Sequence, residues 1–523
     1  MATLPSRNHA VENPMTAASA ISPRRNADQL QRPSGHKQRR AWWLSFLIVA
    51  MAQGQEPEPI PVPEAEIQTL RERLTEREDE TRVENPFTVK VLGRPLELTG
   101  QYEVSLDAIG RLTLGDPAER FRQLLLEQQI EGEAFYVVAP SLSLFAQARL
   151  TMEHDLDSST PERLSDLYIE RGEMWVFVEG VAGLPFSVEV GRLNFEDDRR
   201  WWWDEDLDAV KVSYEGDPLS VDLSLARELF SARSDRNYVQ PEHAEVLRLI
   251  GEATWDWREN QVFELFTLYH NDQSRTERPG GTVRHEREDE SDAELFWAGL
   301  RASGAQDFVR AGLLGYWFDT GAVFGKERLL TLEEISSRRS EVASAKSQSV
   351  RGWALDGGLT WVLPAPAEPR ISFGYARGSG DGNPGDDTDH SFRQTGLHGN
   401  EPGFGGVQRF RGYGRLLDPE LSNLSILTAG LGCSLFGSSS LDLVFHDYRL
   451  VELAESLRDA RIETSLTGQH RALGQSIDLE LAVEEWSRIE FEVAISAFRA
   501  GPAFGPERNQ WIFGGFAAMR VAF

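Results

Sequence analysis

The chain has 523 residues, 40% of them apolar and 26% charged, a composition that excludes a largely disordered protein. Its 83 acidic residues outnumber the 54 basic ones, and the formal net charge of −29 excludes a general nucleic-acid binder. The one cysteine, Cys433, excludes an internal disulfide framework and any multi-cysteine metal site.

Residues 1–52 carry the three parts of a secretory signal. Lys37, Arg39 and Arg40 form a positive flank, the apolar run 41–52 follows, and small residues end it. This run is shorter than a membrane-spanning helix, which needs about 20 residues. We therefore predict cleavage after Ala52 and export into a Gram-negative envelope. A buried N-terminal helix is the alternative, and the long stretch before the flank leaves the start codon open.

Residues 53–85 predict an acidic, proline-rich periplasmic linker with a short helix. The alternating prolines of 56–63 favour a stiff, extended segment. The stretch 65–79 predicts a helix with one apolar face. That face consists of Ile67, Leu70 and Leu74. We favour a solvated linker helix. A partner-binding helix that contacts periplasmic proteins of a secretion complex is the alternative.

Apolar and polar residues alternate from about Pro86 to the end of the chain. The pattern is clearest in three segments, 96–106, 142–153 and 475–481. Such alternation places one face of a strand against an apolar medium and the other face against water. The apolar medium is either the core of a β-sandwich or a lipid bilayer.

Two observations favour the bilayer. Charged residues such as Glu97, Arg149 and Asp478 stand in mid-strand on the polar face, as in a water-filled lumen. The last strand alternates and ends in Phe523, as the C-terminal assembly signal of outer-membrane barrels does. We therefore predict that residues 86–523 form an all-β transmembrane antiparallel β-barrel of about 18 strands (16–18), in contact with outer-membrane lipid and wide enough for an aqueous pore. A multi-domain β-sandwich protein is the alternative.

Three segments between the alternating runs are predicted as loops or local structure. Residues 271–291 are polar and charged, 330–346 favour a local helix, and 378–417 are rich in Gly, Asp and Arg. A connection as long as 378–417 is typical of a gate or a binding loop. Its aspartates are candidate calcium ligands, but their spacing misses the EF-hand pattern, so we favour a solvated acidic loop. These are Asp381, Asp386, Asp387 and Asp389.

Motifs for chemistry are missing from the sequence. It contains no nucleophile elbow, no His-Glu-x-x-His pair and no phosphate-binding loop, so we predict no enzyme activity, no cofactor and no metal site. Carboxylate pairs for glycoside hydrolysis are not singled out by any pattern in so acidic a chain.

Arginine usage points to an anionic ligand. Only five of the 54 basic residues are lysines, and arginine binds carboxylates through two parallel hydrogen bonds. The densest cluster is Arg409-Phe-Arg411-Gly-Tyr-Gly-Arg415. Tyr413 and the run Trp201-Trp-Trp203 are candidates for stacking on sugar rings, and a membrane girdle is the equal alternative for the tryptophans.

Several short segments resemble, in the same order, segments of the alginate export porin family. The first is Gly191-Arg-Leu-Asn-Phe-Glu-Asp197 followed by Trp202-Trp-Asp204, similar to the family's Gly-Arg-x-Arg-x-x-Glu-Asp and Trp-x-Asp. The others are Tyr375-Ala-Arg-Gly-Ser-Gly380, Gln394-Thr-Gly-Leu397, Leu421-Ser-Asn-Leu424, Gly474-Gln-Ser-Ile-Asp478, and Phe498-Arg-Ala-Gly501 with Phe504-Gly-Pro506. Their common order makes the resemblance cover roughly 101–523.

The resemblance implies a monomeric, 18-stranded outer-membrane channel that exports alginate by facilitated diffusion through an anion-selective, arginine-lined lumen. By their place in the family pattern, it assigns nine residues to the pore lining: Arg171, Arg192, Asn194, Arg233, Asp235, Arg409, Arg411, Arg415 and Arg499. Asn194 stands where the family has an arginine, and this departure leaves the polymer open. Transport direction stays open too. The alternatives are a substrate-specific porin for small anions or oligosaccharides and a barrel that binds or hydrolyses carbohydrate.

Overall fold

The computed structural model describes ten stretches of the chain: 64–75, 86–110, 114, 123–156, 165–272, 278–336, 338–403, 406–407, 409–462 and 465–523. The predicted signal segment, its cleavage after Ala52 and the proline-rich stretch 56–63 lie outside the described residues. They stay predictions.

The described residues form one α-helix, α1 (Glu64–Thr75), and 21 strands. The strands are β1 (Phe87–Val91), β2 (Arg94–Ile109), β3 (Gln123–Ala139), β4 (Leu142–Asp155), β5 (Ser165–Val178), β6 (Phe186–Glu196), β7 (Asp204–Glu215), β8 (Leu219–Ala226), β9 (Val246–Arg258), β10 (Gln261–Asp272), β11 (Thr282–Arg284), β12 (Ser291–Phe308), β13 (Gly312–Ser336), β14 (Arg339–Val362), β15 (Arg370–Gly378), β16 (Thr388–Asp389), β17 (Leu424–Leu435), β18 (Ser439–Leu450), β19 (Ala472–Trp486), β20 (Ile489–Ala500) and β21 (Trp511–Ala522). Short 3₁₀ helices span Val181–Gly183, Pro241–His243, His285–Arg287 and Pro502–Glu507.

Eighteen of the described strands close into one antiparallel barrel. Each pairs with the next along the chain, and β21 pairs with β2 from Gln101↔Ala522 to Ile109↔Gly514, which closes the ring. The short strands β1, β11 and β16 add to the edges of β2 and β14 and do not belong to the ring. The prediction of an all-β barrel of about 18 strands is confirmed.

The alternation of the strands separates a lipid face from a lumenal face. Outward residues such as Leu150, Ile169 and Ile495 are large, apolar and exposed, as contact with hydrocarbon requires. Their neighbours Arg149, Glu170 and Ser496 point inward. Where the strands pair, backbone groups find partners in the adjacent strand, which is why a closed ring suits a bilayer.

The connections identify the two rims. Two-residue turns such as 140–141, 259–260 and 487–488 lie on one rim, and long connections such as 379–423 and 451–471 lie on the other. Outer-membrane barrels have short turns in the periplasm and long loops outside the cell. The short-turn rim, where β2 begins and β21 ends, is therefore the periplasmic one.

The helix predicted at 330–346 is wrong. These residues continue β13 and β14 into a long hairpin, which pairs residues such as Leu330↔Ala345 and Leu332↔Val342. Extending a ladder adds hydrogen bonds residue by residue, whereas a helix would need its own costly nucleus. The existing strand pair therefore overrides the local helical preference of the charged residues.

The prediction of a solvated linker helix is wrong as well. Helix α1, described from Glu64 to Thr75, lies inside the periplasmic mouth, where Ile67 is 2% exposed. Arg71 contacts Glu97 at the start of β2, with 3.5 Å between Nε and Oε2. Among the described residues, no helix is long and apolar enough to span a membrane.

The barrel wall has an irregular stretch between β5 and β6. These strands pair only from Met174↔Arg192 to Val178↔Val188, and the outer ends of β6 and β7 turn inward. Residues 232–234, from the connection between β8 and β9, lie against β5 instead: Arg171 N donates to Ala232 O and Ser234 N donates to Ile169 O, both at 2.8 Å. A segment from later in the chain thus completes the wall.

Candidate functional site

Two segments cross the lumen, and we call them the crossbar: residues 197–203 between β6 and β7, and the described residues of 390–421 between β16 and β17. The indoles of Trp201, Trp202 and Trp203 are buried in it. Trp201 Nε1 donates to Tyr413 Oη at 2.7 Å, which joins the two segments. Tyr413 Oη in turn donates to Asp356 on β14 at 3.1 Å, which ties the crossbar to the wall.

The tryptophan run has neither of its predicted roles. Trp202 stacks on Phe266 of β10 and packs against the wall glycines Gly299 and Gly321. The three indoles and Tyr413 therefore contact neither lipid nor an incoming sugar. Both the girdle and the sugar-stacking interpretations are wrong, because the segment that carries these rings folds into the barrel.

Buried arginines anchor the crossbar to the wall. Arg301 on β12 is fully buried and bridges Asp197 of the crossbar to Asp319 of β13, with 2.6 Å between its Nε and Asp319 Oδ1. Arg199 of the crossbar contacts Asp319 and Asp356, each at 3.0 Å. A buried guanidinium with several carboxylates is costly to disrupt, since loss of one partner leaves an uncompensated charge. The arrangement is suited to holding a fixed partition.

A second group of charged side chains stays accessible, and we call the space that they line the conduit. It lies between the crossbar and the wall of β19–β21 and β2–β4. Its lining residues are Glu103, Asp107, Arg149, Arg411, Arg415, Arg461, Glu492 and Arg520. Most conduit arginines are more exposed than the anchors: the side chain of Arg411 is 38% exposed, whereas that of Arg301 is 0% exposed. Arg415, at 12%, is about as buried as the anchor Arg199, at 10%.

Arginines occur at several depths of the conduit. Arg520 contacts Glu103 at 3.2 Å, and Arg461 contacts Asp107, four residues further along β2, at 3.0 Å. At about 3.3 Å per residue, these two positions are roughly 13 Å apart along the strand. Arg415 contacts Glu492 at 2.8 Å and lies over the ring of Phe516. Guanidinium groups are thus present at different positions along the barrel axis.

Arg411 is shared by two carboxylates of the crossbar. Its Nε lies 3.1 Å from Glu401 and its Nη1 lies 3.0 Å from Asp418. Burial alone would raise the pKa of Glu401, but Arg411 and Arg200 outweigh it and lower that pKa. Burial raises the pKa of Asp418 despite the opposing effect of Arg411. Asp418 is therefore the less stabilised of the two anions.

The arginines of the cluster 409–415 have two different surroundings, the conduit and the buried interior of the crossbar. Arg411 and Arg415 line the conduit, as described above. Arg409 is nearly buried, and its Nη1 donates to the carbonyl oxygens of Asp198 and Glu401. It thus joins the two crossbar segments instead of facing the conduit.

Three of the predicted pore residues lie where β6 and β7 turn inward. Arg171 holds Asp208 through two hydrogen bonds of 2.7 and 3.1 Å. Arg192 is 5% exposed and contacts Glu228, and Asn194 donates to Asp206. With an amide at Asn194, this hairpin has one cation fewer than the family pattern implies.

Arg233 and Asp235 lie together on the segment that completes the wall. Two hydrogen bonds of 3.0 and 3.1 Å join them, and the guanidinium lies 3.4 Å from the ring centre of Tyr168. Tyr168 points into the lumen from β5 and donates to Glu153 of β4. The predicted pair is therefore formed, at the extracellular end of the lumen.

Arg499 is misplaced in the predicted lining. It lies on the outward face of β20 at the extracellular rim, where it donates to Asn509 Oδ1 at 2.7 Å. Ser496 and Phe498 are buried on the lumenal face of β20. Because side chains alternate along a strand, those of residues 497 and 499 point outward.

Sequence reasoning missed three conduit arginines as site residues: Arg149, Arg461 and Arg520. Arg149 and Arg520 occupy polar positions in alternating strands, so the alternation of the sequence could have identified them as lumenal. Arg461 belongs to the irregular connection between β18 and β19, and only the fold brings it to Asp107. No local pattern identifies it.

The aspartates of the 378–417 segment act in its turns. Asp381 and Asp386 accept hydrogen bonds from the backbone of Asn383 and Thr388, and Asp389 pairs with Arg393 at 2.7 Å. These contacts favour a structural role over shared calcium binding. Elsewhere in the described residues, Asp272, Asp289 and Asp292 have one carboxylate oxygen each within 4.8 Å of the others.

Comparisons with known proteins agree with this architecture. Residues 116–511 match the family model described as "Alginate export". The alginate production protein AlgE of Pseudomonas aeruginosa is 26% identical over 408 residues, which cover 75% of this chain and 80% of that protein. AlgE of Azotobacter vinelandii is 26% identical over 289 residues, covering 53% and 58%.

Two solved structures show the same fold. They are OccK5 of Pseudomonas aeruginosa, at 10% identity, and OccAB1 of Acinetobacter baumannii, at 9% identity, each with a TM-score of 0.50. Both matches cover 82% of this chain, with 98% and 96% of the respective structures.

Proposed function

The chain belongs to the alginate export family, and from this premise we propose that it is an outer-membrane channel through which alginate leaves the periplasm by way of the conduit. The observation that carries the proposal is the separation of charged groups. Arginines that fix the crossbar are buried, whereas four of the five conduit arginines, Arg411 above all, remain accessible. A polyanion needs such accessible cations along a wet path.

Passage through the conduit is proposed to proceed by exchange of carboxylates. Arg411 is already held by Glu401 and Asp418, so an incoming uronate carboxylate replaces a resident one instead of filling a bare cation. Asp418, with its raised pKa, is the resident anion that gives way. Because one ion pair replaces another, each site releases the polymer about as easily as it binds it. No site becomes a trap.

The net charge of −29 opposes entry of a polyanion. The arginines of the conduit offset this repulsion inside the lumen. Charges further than the Debye length of about 8 Å contribute little in physiological salt, so nearby arginines decide the potential inside the lumen. Because a preformed polymer needs only a path, the proposed function includes no catalytic step. The proposed channel is a monomer in outer-membrane lipid, and periplasmic secretion proteins bind at its short-turn rim.

The test of the proposed function is single-channel conductance of the refolded chain in planar bilayers, with polymannuronate and a neutral glucan added in turn. We expect polymannuronate to block the current and the neutral glucan to leave it unchanged, because only polymannuronate has carboxylates that exchange at the conduit arginines. Equal block by both polymers would instead support a porin for some other saccharide. Hydrolysis of either polymer would support the carbohydrate-active alternative.

Replacing Arg411 by glutamine is expected to lower the ratio of anion to cation permeability roughly twofold. A unit charge about 7 Å from the ion path contributes about 0.6 kcal/mol in water and about 0.25 kcal/mol after screening over a Debye length of about 8 Å, with opposite sign for the anion and the cation. The reversal potential in a salt gradient measures this ratio. Arg499→Gln is the matched control, because it removes the same charge from the outer face. An equal shift in both variants would contradict a conduit role for Arg411.

Anion selectivity is expected to rise as the pH falls from 8 to 6. Burial, with Glu420 and Asp418 nearby, raises the pKa of Asp459 in the extracellular loop between β18 and β19 to about 7. Asp459 is charged above that pH and neutral below it, so acidification removes a negative charge from the outer mouth. Asp459→Asn should be more anion-selective than the natural chain at pH 8 and equal to it at pH 6. A constant difference between the two proteins across this range would contradict the assignment.

A further inference from the structure

Helix α1 lies in the periplasmic mouth of the barrel. Arg73 lies in its last turn, where a positive charge suits the helix dipole. Ile67 is its most buried apolar residue, at 2% exposed, and Leu70 and Leu74 pack against the same buried cluster. The apolar face that the periodicity predicts is therefore in use, and its partner is the inside of the barrel.

Among its described side chains, α1 contacts the periplasmic end of β2 and the turn between β5 and β6. Arg71 contacts Glu97 of β2, and Arg73 contacts Glu179, in the turn between β5 and β6, at 3.0 Å. A small cavity lies between the helix and the wall. Its lining residues are Arg71, Thr75, Glu97, Thr99, Glu133, Phe135 and Phe145. The wall that α1 covers, β2–β4, is the wall that carries Arg149 of the conduit.

How far helix α1 narrows the periplasmic mouth depends on its width relative to the diameter of the barrel. An 18-stranded barrel with strands about 4.8 Å apart and tilted by about 40° is roughly 35 Å across between backbones. The crossbar occupies the opposite part of the lumen, and a helix with its side chains is about 10–12 Å wide. Helix α1 therefore takes up a substantial share of the remaining cross-section at the periplasmic entrance.

We propose that α1 is an autoinhibitory segment, which in its seat against β2–β4 narrows the periplasmic entrance of the conduit and on release widens it. The Arg73–Glu179 pair is exposed and opens at little cost, whereas Ile67 and the buried Arg71–Glu97 pair, 3.5 Å long, hold the helix in place. The proposal rests on the proposed function only for the identity of the cargo. The entrance itself is probed by small ions.

Ile67→Asp in the full chain tests the proposal, because it places a charge at the most buried contact of α1 without altering a barrel residue. We expect salt conductance to rise about 1.5-fold, in line with the cross-section that the helix vacates. Leu92→Asp is the matched control: Leu92 is 90% exposed in the turn between β1 and β2, so the same kind of substitution should leave conductance unchanged. A synthetic peptide of residues 64–75 should reverse the rise when added on the periplasmic side only.

Unchanged conductance in Ile67→Asp would overturn the proposal, as would block by the peptide from both sides alike. If Ile67→Asp does not refold, as judged by heat-modifiable migration in gels, deletion of 64–75 replaces it. Failure of that deletion to refold would show that α1 is a structural part of the barrel, which also overturns the proposal. Because salt conductance is measured without polymer, its outcome is independent of whether polymannuronate blocks the current.

Discussion

Replacing Arg301 by methionine is expected to lower the free energy of unfolding by about 3–5 kcal/mol, the usual cost of removing one partner from a buried charge network. The substitution leaves Asp197, Asp319 and Glu264 in the lumen without the guanidinium that they share. Denaturant unfolding followed by tryptophan fluorescence measures the loss, since Trp201–Trp203 report directly on the crossbar.

The control for Arg301→Met is Arg499→Met, which removes an arginine from the outer rim and should change stability by less than about 0.5 kcal/mol. The double variant with Asp197→Asn should be less destabilised than the sum of the two single variants, because both act on one contact. Additive effects would mean that Arg301 does not anchor the crossbar through Asp197.

Replacing Gly299 by valine is expected to displace the crossbar from the wall. A Cβ at Gly299 would overlap both the indole of Trp202 and the backbone oxygen of Thr320 on β13. The cross-strand neighbour Gly321 also lies against that indole, with 2.9 Å between its ideal Cβ and Trp202 Cη2. Overpacking of this kind costs about 1–3 kcal/mol. We expect a matching loss of stability together with a higher salt conductance, as the indole leaves its seat.

Gly315→Ala provides the comparison for Gly299→Val. Gly315 also belongs to the wall, on β13, but the nearest atom to an added Cβ is Thr360 O at 3.8 Å, so an alanine fits. Conductance should stay unchanged in this variant. A rise in conductance in Gly315→Ala equal to that in Gly299→Val would mean that the effect comes from the strand and not from the crossbar.

The barrel was predictable because each strand has one face suited to lipid and one face suited to water. The alternation in 142–153, for example, distinguishes the lipid contacts of Leu150 from the lumenal position of Arg149 without knowledge of any neighbour. The strand number follows from length. The helix predicted at 330–346 failed because the pairing of β13 with β14 lies outside any local window.

A residue's place in a strand predicts its direction, as for Arg149 and Arg520, but a connection offers no such rule. The local density of arginines singles out Arg409, Arg411 and Arg415 alike, yet Arg409 turns to the crossbar. The burial of Trp201–Trp203 depends on the inward turn of β6 and β7 and on Gly299, nearly a hundred residues later. Helix α1 shows an apolar face in its sequence, but the surface that covers this face belongs to β2–β4.

The segment that completes the wall next to β5 has a consequence for protein engineering. The connection 227–245 has the length of a loop that would ordinarily accept an epitope tag or a displayed peptide. Its residues 232–234 are bonded to β5 as a strand would be, so an insertion there would open the side of the barrel to lipid. The tip of the β13–β14 hairpin, beyond the ladder that ends at Ser336↔Arg339, is the better place for a surface label on living cells.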